Sequence, residues 1–192
     1  MRMKKGLILL LTGLMLLAMT TAALAATVEE KRQETRDKID ATLDKLYQQQ
    51  PEAEAALANA AGYAVFVNTG IKAGIFGSSH GRGLAYSNVT GEEVFMRMNE
   101  YQAGFGLGVK EYAFIFAFVT QDAWDDFVAG DWSYGGQANA TASDGVSGGA
   151  FEGAVRAGDN IWVYQMTTKG LALEVAFKGS NYYRDKELNG EK

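Results

Sequence analysis

The stretch Gly62–Tyr86, GYAVFVNTGIKAGIFGSSHGRGLAY, organises the predicted fold, because it alternates short β-rich runs with single glycines. Its first run, Tyr63–Val67, carries aromatic and β-branched residues that favour a pleated strand. Asn68-Thr69-Gly70 then has turn chemistry, so the sequence predicts a hairpin whose second strand begins at Ile71. Glycine-rich runs further along the chain are expected to pair with this stretch.

Four closely spaced glycines follow the predicted turn, and they are Gly74, Gly77, Gly81 and Gly83. Each glycine inside a strand costs about 0.5–1 kcal/mol relative to alanine. Such spacing indicates bulges, positive φ angles or a close approach of another backbone. We therefore expect a tightly curved sheet, with a ligand-binding loop as the alternative interpretation.

Helices are predicted on both sides of this stretch. Residues 27–50 lack glycine and proline, and the apolar side chains Ile39, Leu43, Leu46 and Tyr47 fall on one helical stripe. Pro51 suits the first position of a second helix that runs to Ala60. Thr120 is a suitable N-cap for a short helix that ends at Gly130. We expect the first helix to pack on the rest of the protein, because its acidic residues slightly outnumber its basic residues.

Further strands are predicted downstream, and they cover Glu92–Met98, Gly104–Val109, Tyr112–Val119, Trp132–Ala142, Ile161–Met166 and Leu171–Lys178. Asn88–Gly91 is the turn that precedes the first of them. The segment Tyr112–Val119, YAFIFAFV, is apolar on both faces, so it should be the most buried strand.

These elements predict an α+β fold, in which N-terminal helices pack on a curved or barrel-like antiparallel β-sheet of about eight strands. The predicted organisation is a signal peptide (1–25), a helical region (26–61), a glycine-rich β domain (62–183) and a charged, frayed tail (184–192). A small outer-membrane barrel is the competing architecture, but it would require strand-like ends instead of a charged helix and a charged tail.

Residues 1–25 have the pattern of a secretory signal: a basic start, an apolar run and the small residues Ala23 and Ala25 before the expected cut. The remaining chain would carry 15 basic and 23 acidic residues, a net charge of −8. Nucleic acid is therefore excluded as a partner, since phosphate neutralisation requires a basic face. The chain has no cysteine, so we expect neither a lipid anchor on cysteine nor a disulfide. The sequence thus predicts an exported, periplasmic, soluble protein.

The motifs for catalysis are incomplete. Gly77-Ser78-Ser79-His80-Gly81 fits the G-x-S-x-G pattern of hydrolases, but His80 is the single histidine and lies inside the motif. A serine nucleophile requires a separate histidine base that comes later in such enzymes. Zinc and haem sites have almost no ligands to use, and Asp122, Asp125, Asp126 and Asp131 lack calcium-loop spacing. We therefore predict no enzyme activity, no metal and no cofactor.

The chain resembles the SYLF domain family in several ordered blocks. The matching residues are Ala61–Phe66, Lys72-Ala73-Gly74, Gly77, Gly81, Gly83, the Gly104–Gly108 strand, Tyr164, Lys169-Gly170-Leu171 and Gly179-Ser180. The resemblance implies a non-enzymatic module that binds lipid or a membrane surface. The actin association of some family members has no counterpart in an exported bacterial-type protein, so actin is not an expected partner.

Two groups of side chains are candidates for lipid contact. A concavity lined by glycine and walled by aromatic residues would hold an acyl chain, and cations near the glycine turns would meet a lipid phosphate. The candidates are Lys72, Phe76, Arg82, Phe105, Lys110 and Lys169. The further aromatic residues Tyr86, Tyr112, Trp132 and Trp162 are interpreted as core or ligand wall. The alternative function is a structural or envelope-stress protein that docks another protein through its sheet.

Overall fold

The computed structural model describes residues 27–130, 132–134, 150–167, 170–172 and 179–191. Within these ranges it describes only the backbone of strand residues 70–77, 102–110, 134 and 170–172. The predicted signal peptide, the continuation of the Trp132 strand and residues 173–178 of the last predicted strand lie outside the described residues.

The described residues form four helices and seven strands. The helices are α1 (residues 27–49), α2 (Glu52–Asn59), α3 (Gln121–Val128) and α4 (Lys186–Asn189). The strands are β1 (Gly62–Ser87), β2 (Glu93–Phe118), β3 (Trp132–Tyr134), β4 (Val155–Gly158), β5 (Ile161–Thr167), β6 (Gly170–Ala172) and β7 (Ser180–Arg184). All strand pairs are antiparallel, which confirms the predicted α+β class.

The sheet is built on one long hairpin. Strands β1 and β2 have 26 residues each and pair along their whole length, with Gly62 opposite Phe118 and Tyr86 opposite Glu93. Since β1 occupies one edge of β2, the other edge is shared by β7 at the start of β2 and β5 at its end. β3 extends the sheet from β7, and β4 and β6 pair with β5.

The predicted turn at Asn68-Thr69-Gly70 is wrong. These residues are extended, because each pairs with a residue of β2 in a continuous ladder. The hairpin instead turns at Asn88–Gly91, where Gly91 has a φ of 73° and its N–H donates to the carbonyl of Ser87 at 2.9 Å. This second turn was predicted correctly. The separately predicted strands between residues 92 and 119 are one strand, β2.

The hairpin curves back on itself. A straight 26-residue strand would be about 85 Å long, yet the N–H of Asn88 donates to Ala61 at 2.9 Å, next to the opposite end of β1. The register shifts between Gly74 and Phe76 within the bend. A Cβ atom on Gly83 would overlap the carbonyl oxygen of Val65, so the two halves of β1 touch at this glycine. The expected curvature and close backbone approach are therefore confirmed.

Apolar side chains form one core on each face of the hairpin. The inner core contains Phe66, Phe114, Phe116 and Phe118 and is covered by α3, whose Trp124, Phe127 and Val128 are buried. The outer core joins the opposite face of β1 and β2 to α1, α2 and α4. Phe114 to Phe118 are 0–1% exposed on both faces, which confirms the prediction for the centre of YAFIFAFV, whereas Val119 follows the strand and is 43% exposed.

Local signals placed α1 and α3 correctly. The stripe of Ile39, Leu43 and Leu46 is buried in the outer core, and Tyr47 packs against it. This confirms that α1 packs on the sheet. The hydroxyl of Thr120 accepts a hydrogen bond from the N–H of Ala123 at 3.3 Å, and Gly130 follows α3 with a φ of 98°.

Residues 184–191 fold against the rest of the protein, contrary to the predicted frayed tail. Residues 186–189 form α4, and Leu188 is 1% exposed against the outer core. The Asn189 side chain donates to the carbonyl of Phe95 at 2.7 Å and accepts from its N–H at 3.0 Å. The charged residues here find distant partners, such as Lys31 with Glu187 at 2.6 Å, so charge does not mark a disordered end.

Buried phenols predict a loss of stability at alkaline pH. Burial raises the pKa of Tyr63 and of Tyr164 to about 12, against about 10 in an unfolded chain. Above about pH 10 the unfolded chain therefore binds fewer protons than the folded one. Stability should be constant just below about pH 10 and should fall as the pH rises towards 12. Urea unfolding across this range measures the effect.

The Tyr164→Phe variant is the control for this prediction. Among the described residues no hydrogen-bond partner reaches the Tyr164 hydroxyl, so the variant should be at least as stable as the parent at neutral pH. It should also lose part of the alkaline dependence. An unfolding free energy that is equally pH-dependent in both proteins would contradict the assignment to Tyr164.

Candidate functional site

The G-x-S-x-G motif lies within β1 and not on a strand-to-helix turn. Ser79 is 0% exposed and its hydroxyl accepts a hydrogen bond from Tyr112 at 2.7 Å. His80 is exposed and its Nδ1 lies 2.9 Å from the side-chain oxygen of Asn99. Because adjacent strand residues point to opposite faces, His80 does not reach the Ser79 hydroxyl. The motif therefore lacks the geometry of a nucleophile and its base.

The structure places five of the six predicted lipid-binding residues on the long hairpin. Arg82 is the one whose side chain is described, and it is 40% exposed. The backbones of four others lie together in the bend formed by residues 70–77 and 102–110, and these are Lys72, Phe76, Phe105 and Lys110. Lys169 lies outside the described residues. The side chains of the five candidates other than Arg82 are not described, so their role in lipid binding stays a prediction.

The aromatic residues with described side chains belong to packing clusters. Tyr112 and Trp132 pack against the inner core. Tyr86 contacts Tyr63 with ring centroids 5.6 Å apart, and Trp162 stacks on Phe151 at 5.6 Å. These contacts favour the core interpretation for all four.

A polar cleft of about 620 Å³ lies between α1 and the outer face of the hairpin. Its charged and polar lining comes from α1, β1, β2 and β7. The residues with such side chains are Glu34, Thr35, Lys38, Thr42, Lys45, Thr69, His80, Arg82, Arg97, Asn99, Glu111 and Tyr183. Its volume is in the range of ordinary small-molecule sites, about 300–1,000 Å³.

The helix contributes to this cleft through its periodicity. Lys38, Thr42 and Lys45 recur at intervals of three and four residues, so they form one stripe along α1. Each directly precedes a residue of the buried apolar stripe, which consists of Ile39, Leu43 and Leu46. Packing of the apolar stripe against the sheet therefore turns the polar stripe towards the cleft.

Two arginines lie directly opposite each other in the sheet. Arg82 of β1 pairs in register with Arg97 of β2, an arrangement that destabilises a sheet unless a counter-charge is present. Asp185, 1% exposed, supplies that charge: its Oδ2 lies 2.7 Å from Arg97 Nε and 3.8 Å from Arg82 Nε. The hydrogen bond with Asp185 raises the pKa of Arg97. Arg97 is thus held closely by Asp185, whereas the contact between Arg82 and Asp185 is longer.

A hydrogen-bonded chain lies beside the arginines. The side-chain amide of Asn99 donates to the hydroxyl of Tyr183 at 2.9 Å, which leaves its carbonyl oxygen to accept from His80. Nδ1 of His80 is therefore the donor in this hydrogen bond. The chain orients the imidazole in the cleft.

The remaining charges of the cleft differ in their pairing. Glu34 and Lys38 form an exposed pair at 2.7 Å, and the hydrogen bond from Lys38 lowers the pKa of Glu34. Lys45 and Glu111 are exposed, and within the described part of the chain neither has an opposite charge within 4.0 Å. Two unpaired charges of opposite sign thus line one cleft.

Of the described residues that line this cleft, sequence reasoning proposed only Arg82 as a binding residue. Lys38 and Lys45 each directly precede a residue of the buried Ile39–Leu46 stripe, and this helical spacing could have indicated that they lie beside the sheet. Glu111 carries no local signal, because it enters the cleft only through the pairing of β2 with β1. Arg97 was missed because its partner Asp185 is 88 residues away.

Comparison with known proteins gives two matches. Residues 99–191 match the family model Ysc84, which is described as "Las17-binding protein actin regulator". The chain is also 30% identical over 164 residues to beta cell expansion factor A of Aeromonas veronii, and the match covers 84% of this chain. The chain spans 60% of the length of that relative. The cleft residues Asn99, Glu111 and Tyr183 lie within the range of the family model.

Proposed function

Because residues 99–191 match the Ysc84 (SYLF) family model, we propose that the chain is a non-enzymatic periplasmic module that binds phospholipid or a membrane surface. Proteins of this family are generally non-enzymatic and are associated with lipid binding. The periplasmic part of the proposal rests on the predicted signal peptide. The actin role in the family description is not carried over, because an exported protein would not meet actin.

One observation carries the proposal. The chain has a formal net charge of −5, yet folding gathers Lys38, Lys45, Arg82 and Arg97 at one cleft. Arginine and lysine are the side chains that bind phosphate most strongly. Screening limits the repulsion between the acidic chain and an anionic surface to roughly 8 Å at physiological salt. A local cationic site can therefore act where the overall charge is unfavourable.

The helix α1 does not supply an alternative membrane anchor in this fold. Its apolar residues Ile39, Leu43 and Leu46 are 0–8% exposed because they pack on the sheet. Among the helices that the structure describes, none has both the length and the hydrophobicity to cross a bilayer. The proposal therefore places lipid contact at the cleft, and a role for the glycine-rich bend stays a prediction.

Arg82→Glu should weaken binding to phospholipid vesicles by roughly 30-fold, since each elementary charge near a lipid surface contributes about 1 kcal/mol and the reversal changes two of them. The loss should be largest at low salt, where screening is weakest. Vesicle co-sedimentation measures it. Arg156→Glu is the matched control, because Arg156 is 59% exposed on β4, pairs with Asp159 and does not line the cleft.

Two outcomes would count against the proposal. Equal losses in both variants would show that overall charge, and not the cleft, controls binding. If neither vesicle binding at low salt nor lipid in an organic extract of the purified protein were found, lipid binding would be rejected. The alternative that the sheet docks another protein would then be preferred.

A further inference from the structure

The cleft presents acceptors as well as cations. The Glu111 carboxylate is exposed in the cleft and has no ion pair within the described residues. A fully ionised phosphate has no hydrogen to donate to this carboxylate. A ligand that satisfies it must carry N–H or O–H donors in addition to an anion.

The cations of the same cleft require the opposite charge. Among the described residues, the one ion pair of Arg82 is the 3.8 Å contact with Asp185, whose Oδ2 is already held by Arg97 at 2.7 Å. In the described part of the chain no hydrogen bond from Arg82 is present, so its planar fork of N–H donors is open to an oxyanion. Lys45 lines the cleft from α1 and also has no described ion pair.

Lys45 and Glu111 do not pair with each other, although both line the cleft. A purely anionic ligand would be attracted by Arg82 and Lys45 but repelled by Glu111. A purely cationic ligand would be attracted by Glu111 but repelled by Arg82 and Lys45. A ligand of both signs would neutralise each group and would leave no unpaired charge facing it.

We propose that the cleft binds a zwitterionic ligand of the phosphoethanolamine class, with its phosphate at Arg82 and Lys45 and its primary ammonium at Glu111. This inference rests on the proposed function, since it names the headgroup of the bound lipid. The ammonium supplies three N–H donors, which the quaternary ammonium of phosphocholine lacks. The site therefore selects ethanolamine over choline, which has no N–H donor, and over a glycerol headgroup, which has O–H donors but no positive charge to neutralise Glu111.

The test uses phosphatidylcholine vesicles that contain equal mole fractions of either phosphatidylethanolamine or phosphatidylglycerol. The parent protein should bind the ethanolamine vesicles about tenfold more tightly than the glycerol vesicles. Arg82→Gln should weaken binding to both. Glu111→Gln should weaken ethanolamine binding by about fivefold and strengthen glycerol binding, because it removes both an ammonium partner and a repulsive charge.

Glu152→Gln is the matched control, since Glu152 is exposed and does not line the cleft. Thermal unfolding of each variant verifies that the exchange leaves the fold intact. The inference would be overturned if Glu111→Gln bound ethanolamine vesicles as well as the parent did while Arg82→Gln lost binding. That result would show a purely anionic site and would leave the proposed lipid function standing.

A second experiment distinguishes binding of the headgroup alone from binding of a lipid membrane. Calorimetry with free phosphoethanolamine should show binding that Glu111→Gln weakens. If the free compound binds and no vesicle does, the zwitterion site stands and the membrane function is rejected. If neither the free compound nor ethanolamine vesicles bind the parent protein, the inference is rejected.

Discussion

Gly83→Ala should lower the free energy of unfolding by about 3 kcal/mol, a large cost for one added methyl group. The new Cβ would overlap the carbonyl oxygen of Val65 and would lie 2.5 Å from the ring of Phe66. Phe66 is 0% exposed and Val65 is held in the β1–β2 ladder, so neither can move without disturbing both cores. Reversible urea unfolding measures the loss.

Gly158→Ala is the control for this glycine. Gly158 also lies in a strand, but its Cβ would have an ordinary contact of 3.7 Å with Ile161. Alanine there should be neutral, or stabilising by about 0.4–1 kcal/mol, because it restricts the unfolded chain. If Gly83→Ala proved as stable as Gly158→Ala, the two halves of β1 would not touch as the structure shows.

Phe116→Ala should cost about 3–5 kcal/mol, the second large effect. Phe116 is 0% exposed at the centre of the inner core. Its ring centroid lies 6.0 Å from that of Phe66, 5.4 Å from Phe127 and 5.2 Å from Tyr182. The substitution therefore opens a cavity between the bent hairpin, α3 and β7. Chemical denaturation should show a lower midpoint with an unchanged slope.

Val119→Ala provides the comparison at the end of the same strand. Val119 follows Phe118 directly but is 43% exposed, so its truncation should change stability by less than about 0.5 kcal/mol. Similar losses for Phe116→Ala and Val119→Ala would contradict the assignment of Phe116 to the centre of the core.

Local patterns in the sequence determined several elements correctly. The stripe of Ile39, Leu43 and Leu46 predicted α1, the Thr120 cap predicted the start of α3, and YAFIFAFV predicted the most buried strand. Each signal is contained in a short window, and it reflects an intrinsic preference that the folded protein also satisfies. The resemblance to the SYLF family was likewise visible in the order of its glycine blocks.

Elements that depend on distant partners were predicted wrongly or missed. Asn68-Thr69-Gly70 has the composition of a turn, but pairing with β2 keeps it extended. The residues after Tyr183 are charged and were predicted to fray, yet Leu188 and Asn189 dock on Phe95 and the outer core. In both cases long-range hydrogen bonds and burial outweighed a weak local preference.

The candidate site was decided by tertiary structure. The sequence by itself determined that the chain is acidic, that it has one histidine and no cysteine, and that glycines bend its sheet. Only folding brought Lys45, Arg82 and Glu111 to one cleft from α1, β1 and β2. The physical reason is that charge and periodicity are properties of short segments, whereas the neighbours of a charged side chain are set by strand register and helix packing.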